Sequence, residues 1–365
     1  MSSINGEASR DFVAGARVLF DFVNSAGGVK GRSIRLVVRD DKGQVDNTLA
    51  QTRDLIEKES ADVLFGYMGD AGIKAVVQST LFKSSSIAFF GAASGLSVDS
   101  SINNIYFTRA SYSAEAKTII DQFKPLGIER YAVVAVHTAF HQGIAEEIAR
   151  NIRAEGLTLT AQLSLDTAGA ESEYQSAANE VAAKNAQVII AVGDSLTTAL
   201  FVKAYRPLNK GGWMVGLSMV NPTLLTQIVG TDAAHAMILT QVVPSLVSVT
   251  LPVAVEHRTL MKKYRDEPPS PLTFEGYIAA KSLVEALRLT NREPIRTEIV
   301  HSSRRLPKID LGGIRIEFAN GSNRGTQYAD LAFLRKNGSL LQEDSRIFVL
   351  RAAGAGLKTA ATMLS

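Results

Sequence analysis

The residues from Phe12 to Asp41 read FVAGARVLFDFVNSAGGVKGRSIRLVVRDD, and this stretch decides the fold class. Apolar side chains recur between Phe12 and Val23 with the spacing of one helical face, and Gly27-Gly28 ends that helix. The apolar run Ile34–Val38 follows and predicts a buried strand. A helix joined to a short apolar strand is the repeating unit of an α/β protein.

The same alternation continues along the chain, with predicted helices between short apolar runs. This pattern indicates parallel sheets wrapped by helices. Further strands are predicted at Val63–Phe65, Ile87–Phe90, Ala132–Val136, Val188–Val192, Trp213–Val215, Ile314–Phe318 and Ala329–Leu334.

The length of 365 residues suits two domains, and the order of elements suggests that the first domain resumes after the second. We predict a lobe 1 from residues 1–110 and 245–322 and a lobe 2 from residues 111–244 and 323–345. Residues 346–365 would form a carboxyl-terminal tail. Three crossings between the lobes would make a hinge that permits bending.

Composition excludes several classes of function. The chain carries 39 basic and 36 acidic residues, and its densest basic run, His301–Arg305, lacks interleaved aromatic residues, so nucleic acid is not a predicted partner. Cysteine is absent, which excludes disulfides, thiolate metal sites and cysteine catalysis. Met1–Gly6 has neither the basic nor the apolar region of a signal peptide. Either a signal was removed before this numbering begins or the protein stays in the cytosol.

No catalytic or metal motif emerges from the sequence. A Gly-x-Gly-x-x-Gly after a strand and a phosphate loop are both missing, and Gly91–Gly95 does not match the serine nucleophile elbow. His137 and His141 stand four apart, but they fall across a strand end and a loop, without an acidic third ligand nearby. We therefore predict neither an enzyme nor a bound cofactor.

The predicted strand ends carry the candidate binding residues. Open parallel sheets bind ligands beyond the carboxyl ends of their strands, where helix amino termini offer free N–H groups. Small or polar residues occupy four such places: Tyr67–Asp70, Ala92–Ser94, Asp194–Ser195 and Ser218. Each alone is typical of a plain β–α turn. Together, in two halves of the chain, they predict a binding cleft.

These residues resemble the type I periplasmic binding proteins of the branched-chain amino acid (leucine/isoleucine/valine) group. The resemblance covers about residues 7–340. Its most specific part runs from Gly15 to Arg32 and on through Ile34–Val37 into Asp40-Asp41, and supporting landmarks follow in order at Phe65–Tyr67, Phe89–Ser94 and Phe274–Ala280.

The resemblance implies an α/β fold of two Rossmann-like lobes with parallel-type sheets, joined by a three-strand hinge. It implies a periplasmic solute receptor of an ABC importer, with membrane permease subunits as partners and a small carboxylate or amino acid as ligand. The ligand would lie in the interlobe cleft, held by hinge closure. The implied contacts are Tyr67, Met68, Gly69, Asp70, Ala71, Ala92, Ala93 and Ser94 from lobe 1, and Phe140, Asp194 and Ser218 from lobe 2. A cytosolic ligand-sensing regulator of the same fold, acting through a protein partner, is the alternative.

One departure from the family concerns charge at the ligand. Members that bind α-amino acids carry an acidic residue at the position of Ser218, where it pairs the ammonium group. Serine supplies no such charge, and an unpaired buried ammonium costs several kcal/mol. Either Asp194 or Asp70 supplies the charge, or the ligand has no α-ammonium.

Two further departures concern the first lobe. The Met68–Ala71 turn lacks the serine or threonine pair that is common in the family. The first β-strand and its loop, normally ahead of residue 7, are missing, and the tail run Ile347–Leu350 is a candidate substitute strand.

Overall fold

A computed structural model describes residues 6–99, 101–167, 169–208, 211–246, 250–291, 295–318 and 322–342. Within these residues the α-helices are α1 (Gly6–Ser25), α2 (Val45–Glu57), α3 (Asp70–Gln78), α4 (Thr80–Ser85), α5 (Tyr112–Phe123), α6 (Ala139–Ala154), α7 (Glu171–Ala183), α8 (Ser195–Tyr205), α9 (Pro222–Val229), α10 (Thr231–Ala234), α11 (Pro252–Tyr264), α12 (Pro271–Arg288) and α13 (Arg296–Arg304). The strands are β1 (Val63–Phe65), β2 (Ala88–Phe90), β3 (Ile105–Tyr106), β4 (Arg130–Val136), β5 (Thr158–Leu165), β6 (Val188–Val192), β7 (Trp213–Gly216), β8 (Ile238–Gln241), β9 (Ile309–Asp310), β10 (Arg315–Ile316), β11 (Asp330–Leu334) and β12 (Leu340–Leu341).

The chain divides into two compact units. Unit 1 comprises the chain up to Ser111 together with Ser245–Tyr328, and unit 2 comprises Tyr112–Pro244 together with the chain from Ala329. Unit 1 is therefore interrupted in sequence by unit 2. None of the described helices is long and apolar enough to cross a membrane.

Unit 1 contains a parallel sheet in the order β1-β2-β3 and a separate antiparallel pair, β9 and β10. Helices α1 and α12 pack against each other through two glycines. A Cβ on Gly15 would lie 1.7 Å from the carbonyl oxygen of Thr273, and a Cβ on Gly276 would lie 2.0 Å from that of Phe12. Only glycine permits this approach of the two backbones, which explains why both positions stand in landmark motifs of the sequence.

The segment Ile34–Val38 does not form the strand that the sequence predicts. It is irregular and partly exposed, and the Asn24 side chain holds its first residue through bonds of 2.7 and 2.9 Å to the N–H and C=O of Ile34. Cavities of about 270 and 100 Å³ are both lined by Leu36, Val37 and Phe65. An apolar run becomes a strand only beside a partner, and among the described residues β1 forms a ladder with β2 alone.

Unit 2 contains a seven-stranded sheet in the order β12-β11-β8-β7-β6-β4-β5. The five strands from β4 to β8 are parallel, and β11 and β12 add antiparallel edges. Apolar clusters cover both faces of the sheet, so the central strands are continuously buried, as in Val188–Val192. The carboxyl ends of β4, β6 and β7 therefore share one edge of this sheet.

The third boundary between the units lies later in the chain than the sequence predicts. Residues 323–328, assigned above to lobe 2, belong to unit 1. The amide of Phe107 donates to the carbonyl of Asn323 at 2.8 Å, and the amide of Gly325 donates back to Phe107 at 2.8 Å. These long-range backbone bonds are not visible in local sequence patterns. The predicted tail, 346–365, and its run Ile347–Leu350 lie outside the described residues.

Candidate functional site

Unit 1 brings two of the predicted segments together beyond the ends of β1 and β2. The amide of Ala93 donates to the carbonyl of Tyr67 at 2.9 Å, and Met68 and Ala93 form an isolated parallel bridge. The turn at Gly69, with a φ of +94°, then leads directly into α3. The segments Tyr67–Ala71 and Ala92–Ser94 are thus one structural feature, which we call the unit 1 turn pair.

The polar groups of the unit 1 turn pair are largely bonded to one another. Ser94 is fully buried, and its hydroxyl donates to the Asp70 carboxylate while it accepts the amide of Leu96 at 3.0 Å. The amide of Ser94 donates to Ala92 at 2.9 Å. Asp70 as a residue is partly exposed. The hydroxyl that the resemblance implies as a ligand contact therefore supports Asp70 in this structure.

Tyr67 contributes its backbone to the turn pair and its side chain to the interior of unit 1. Its hydroxyl lies 2.9 Å from that of Thr52, and its ring centroid lies 4.7 Å from that of Phe89. Burial raises the pKa of Tyr67 to about 12. The phenol is therefore a neutral anchor on α2.

Arg324 donates hydrogen bonds to backbone carbonyls in and next to the turn pair, and no sequence motif indicates this role. The residue is buried, and its guanidinium lies 4.4 Å from the centre of the Phe107 ring. It donates to the carbonyls of Arg109 at 2.6 Å, Leu96 at 2.8 Å and Ser94 at 3.4 Å. A planar guanidinium with five donors suits such a cluster of carbonyl groups.

A buried ion pair lies next to this cluster. Arg109 Nη1 lies 3.1 Å from Glu275 Oε1, and both side chains are at least nine-tenths buried. Glu275 belongs to α12, so the pair ties the segment after β3 to that helix. Removal of either side chain would leave the other charge buried without this ion-pair contact.

In unit 2, Phe140 lies on the first turn of α6, beyond the end of β4. Its side chain is partly exposed, and its ring contacts that of Tyr112 edge-on, with the centroids 6.4 Å apart. Tyr112 begins α5, one helical turn before Glu115. The fold therefore places the predicted Phe140 beside a helix for which the sequence analysis assigned no site residue.

Asp194 caps a helix. Its carboxylate accepts the amide of Thr197 at 2.7 Å at the start of α8, and the Thr167 hydroxyl at 3.3 Å. The next residue, Ser195, accepts the amide of Asn221 at 2.8 Å and so links α8 to the loop that carries Ser218. An N-cap aspartate has a sufficient structural reason to be present.

Ser218 contacts a buried acid that the sequence analysis missed. Its hydroxyl donates to Glu115 Oε1 at 2.6 Å, and its amide donates to Oε2 at 2.9 Å. The hydroxyl of Thr240 also donates to Oε2. Glu115 and Thr240 are fully buried, whereas Ser218 is partly exposed. A signal was present: Glu115 stands on the apolar face of α5, where a charged residue needs a specific reason.

His137 and His141, which stand four residues apart in the sequence, both lie just beyond the end of β4. His137 follows β4 directly, and the ring of His141 bonds the Thr138 hydroxyl at 2.8 Å. Within the described ranges, no group of three or more histidine, aspartate or glutamate side chains is placed to hold a metal ion.

A family model of periplasmic binding proteins matches residues 1–339 of this chain, across both units. The chain belongs to the periplasmic binding protein family. Among curated relatives, a Leu/Ile/Val-binding protein homolog of Brucella abortus is 23% identical over 291 residues, which cover 75% of this chain and 71% of the relative.

Solved structures of periplasmic binding proteins share the fold over almost the whole chain. A substrate-binding periplasmic protein from Ralstonia solanacearum is 27% identical, with a TM-score of 0.82 over 94% of this chain and 97% of its own. A branched-chain amino acid transporter substrate-binding protein from Streptococcus pneumoniae, in complex with isoleucine, is 16% identical, with a TM-score of 0.77 over 93% and 94%. A solute-binding protein from R. palustris, in complex with benzoate, is 16% identical, with a TM-score of 0.72 over 93% and 92%. These similarities confirm the resemblance to the type I, branched-chain amino acid group.

Proposed function

We propose that this periplasmic binding protein is the extracytoplasmic solute receptor of an ABC importer, and that it binds an amino acid or related small carboxylate without transforming it. Family membership supports the receptor role. The names of the Brucella relative and of the isoleucine- and benzoate-bound structures point to small organic acids and amino acids as the range to search.

The observation that carries the proposal is the chemistry at the strand ends of the two units. Each unit ends its parallel strands in a polar pair in which one member is partly exposed: Asp70 bonded to Ser94, and Ser218 bonded to Glu115. Small polar groups at such strand ends are suited to recognise a solute.

In the proposed mechanism one solute contacts residues of both units, and some contacts form only when a hinge closes. A ligand shifts a conformational equilibrium only by its difference in affinity for the two forms, so these late contacts drive closure. The closed form is the one that permease subunits would recognise. The turn pair, Phe140, Asp194 and Ser218 remain the proposed contact set.

A thermal-shift screen tests this proposal. The purified chain is heated with each of the common amino acids, with benzoate and related aromatic acids, and with small dicarboxylates. A solute present at 100 times its Kd stabilises the native state by about 2.7 kcal/mol, which raises the Tm by several degrees. Positive solutes are then titrated by calorimetry. The proposal fails if none of these classes stabilises the folded protein.

A further inference from the structure

Two of the chain segments that lead out of unit 1 are bonded to each other. Unit 1 ends at Ser111 and again at Tyr328, where the chain continues into unit 2. Residues 107–111 and 323–328 lead to these two points, and we call them the paired linkers. Two backbone hydrogen bonds of 2.8 Å join them at Phe107. The paired linkers therefore form one structural element at the edge of unit 1.

Arg324 joins this element to the unit 1 turn pair. It belongs to the second linker, and its guanidinium donates to the carbonyl of Arg109 in the first linker at 2.6 Å. The same group donates to the carbonyls of Ser94 at 3.4 Å and Leu96 at 2.8 Å. Ser94 is the last residue of the turn pair, and Leu96 follows it closely. One side chain thus connects both linkers with the end of a predicted solute-binding segment.

The surroundings of Arg324 make this connection stiff. The residue is 7% exposed, the three residues whose carbonyls it contacts are also buried, and the ring of Phe107 lies against the guanidinium. Buried carbonyls that lose their donor are costly, and a charged donor bonds them more strongly than a neutral one. The donors of a guanidinium stand in a fixed plane, so one acceptor cannot shift far unless the others follow. A displacement of the turn pair is therefore passed to the linkers.

We propose that Arg324 is a positioning residue that couples the unit 1 turn pair to the paired linkers, so that a solute held at the turn pair biases closure of the hinge. This inference rests on the proposed function and adds a residue outside its contact set. Closure depends on the difference in solute affinity between the two forms. Without Arg324 the solute still meets the turn pair, but less of its binding free energy favours the closed form.

Distances between spin labels measure closure. The chain has no cysteine, so introduced cysteines carry labels at chosen positions. One label replaces Lys83 in unit 1, and the other replaces Lys203 or Gln175 in unit 2; all three residues are exposed. Pulsed electron paramagnetic resonance is recorded without solute and with leucine, isoleucine, benzoate or any solute that is positive in the thermal-shift screen. In the protein with native Arg324, we expect the bound solute to change the mean distance.

Arg324→Lys is the decisive variant. It keeps a positive charge beside Phe107, but a flexible ammonium cannot hold three carbonyls in one plane. At saturating solute, we expect the change in mean distance to fall by about half or more, and the Kd measured by calorimetry to rise about tenfold.

Arg296→Lys is the matched control. Arg296 also lies in unit 1 and donates to two backbone carbonyls, those of Ala61 at 2.9 Å and Ile56 at 3.0 Å. Its loss therefore removes comparable bonds that do not belong to the paired linkers. We expect the distance change and the Kd of this variant to stay within about twofold of wild type.

Hydrogen exchange in the unsubstituted protein tests the coupling even if Arg324→Lys does not fold. The amides of Phe107 and Gly325 pair the linkers and are outside the proposed contact set. If the turn pair and the linkers respond together, bound solute should slow the exchange of both amides several-fold.

Two results would overturn the inference and leave the receptor function standing. One is an Arg324→Lys variant that closes and binds solute as Arg296→Lys does. The other is unchanged exchange at Phe107 and Gly325 in solute-bound, unsubstituted protein. If no solute binds that protein, or if a bound solute changes neither label distance, the proposed closure mechanism fails and the inference fails with it.

Discussion

Each unit contains a serine hydroxyl that donates to a carboxylate, but the buried residue of the pair is the serine in one unit and the acid in the other. In unit 1 the buried member is Ser94 and the partly exposed member is Asp70, whereas in unit 2 the acid, Glu115, is buried and Ser218 is partly exposed. The two pairs therefore differ in whether the acid or the serine is the more accessible residue.

The residues that surround the serine–acid pair also differ between the two units. Behind the unit 1 pair lie charged groups: Arg324 on the carbonyls and the Arg109–Glu275 ion pair. In unit 2 the Glu115 carboxylate accepts hydrogen bonds from the neutral donors of Ser218 and Thr240. Substitutions in the two units should therefore differ in their cost.

The largest expected effect concerns the ion pair of unit 1. Glu275→Ala leaves the Arg109 guanidinium buried without this carboxylate, and we expect a loss of about 3–5 kcal/mol in the free energy of unfolding. Urea denaturation measures it. Glu275→Gln, which keeps the shape and one acceptor, is the matched control and should lose less. A loss below about 1 kcal/mol in Glu275→Ala would show that charge does not support the unit 1 turn pair.

Acid should weaken unit 1 through His257. This side chain is fully buried against Phe274 and Tyr277, and burial, aided by Arg258, lowers its pKa from 6.5 to about 4. The unfolded chain takes up the proton first, so stability is full above pH 6.5 and falls as the pH drops towards 4. The loss is about 3 kcal/mol at the end of that window.

His257→Phe is the matched variant, since it keeps an aromatic ring and removes the titration. Its unfolding free energy should vary less between pH 6.5 and 4 than that of wild type. Burial also lowers the pKa of His235 in unit 2, so part of the acid sensitivity should remain. An identical pH profile in both proteins would rule out the assignment to His257.

Neutralising the acid of each serine–acid pair should destabilise the two units to different extents. Glu115→Gln places an amide group where three donors converge, so we expect a loss of about 1–3 kcal/mol. Asp70→Asn keeps an oxygen for Ser94 at a partly exposed position, and should lose less than about 1 kcal/mol. Chemical denaturation of both variants gives the two values. Equal losses would remove the distinction between a buried and an accessible acid.

The smallest effect concerns the helix cap at Asp194. Asp194→Ala removes the acceptor for the Thr197 amide and should cost about 1 kcal/mol, whereas Asp194→Ser keeps a cap and should cost a few tenths. Both variants remove the charge. If both weaken solute binding alike, Asp194 acts by charge, and if only the alanine variant does, it acts as the cap.

The sequence predicts the central strands well and the edges poorly. Val188–Val192 forms a strand with the predicted bounds. Its continuous apolar run matches a central strand of a parallel sheet, which is buried on both faces. Ile34–Val38 is also largely apolar, but among the described residues it has no partner strand, and it is irregular. Strand β5 lies at the sheet edge and mixes buried, partly exposed and exposed residues, so it contains no continuous apolar run that would predict it.

The sequence predicts where the candidate site residues lie in the fold better than it predicts which residues they contact. Tyr67–Ala71 and Ala92–Ser94 meet as expected, because adjacent parallel strands end at the same edge. The pairing of Ser218 with Glu115 joins residues 103 positions apart, which no local pattern reveals. A glutamate on an apolar helical face was the available signal.

Equilibrium dialysis with recovery of the bound solute tests whether the protein binds a small solute and leaves it chemically unchanged. The purified chain is dialysed against a mixture of amino acids and small acids, separated, denatured, and its retained contents are identified by mass spectrometry. We expect each chain to retain about one solute molecule, which is recovered chemically unchanged. Retention of nothing, or recovery of a product absent from the starting mixture, would contradict it.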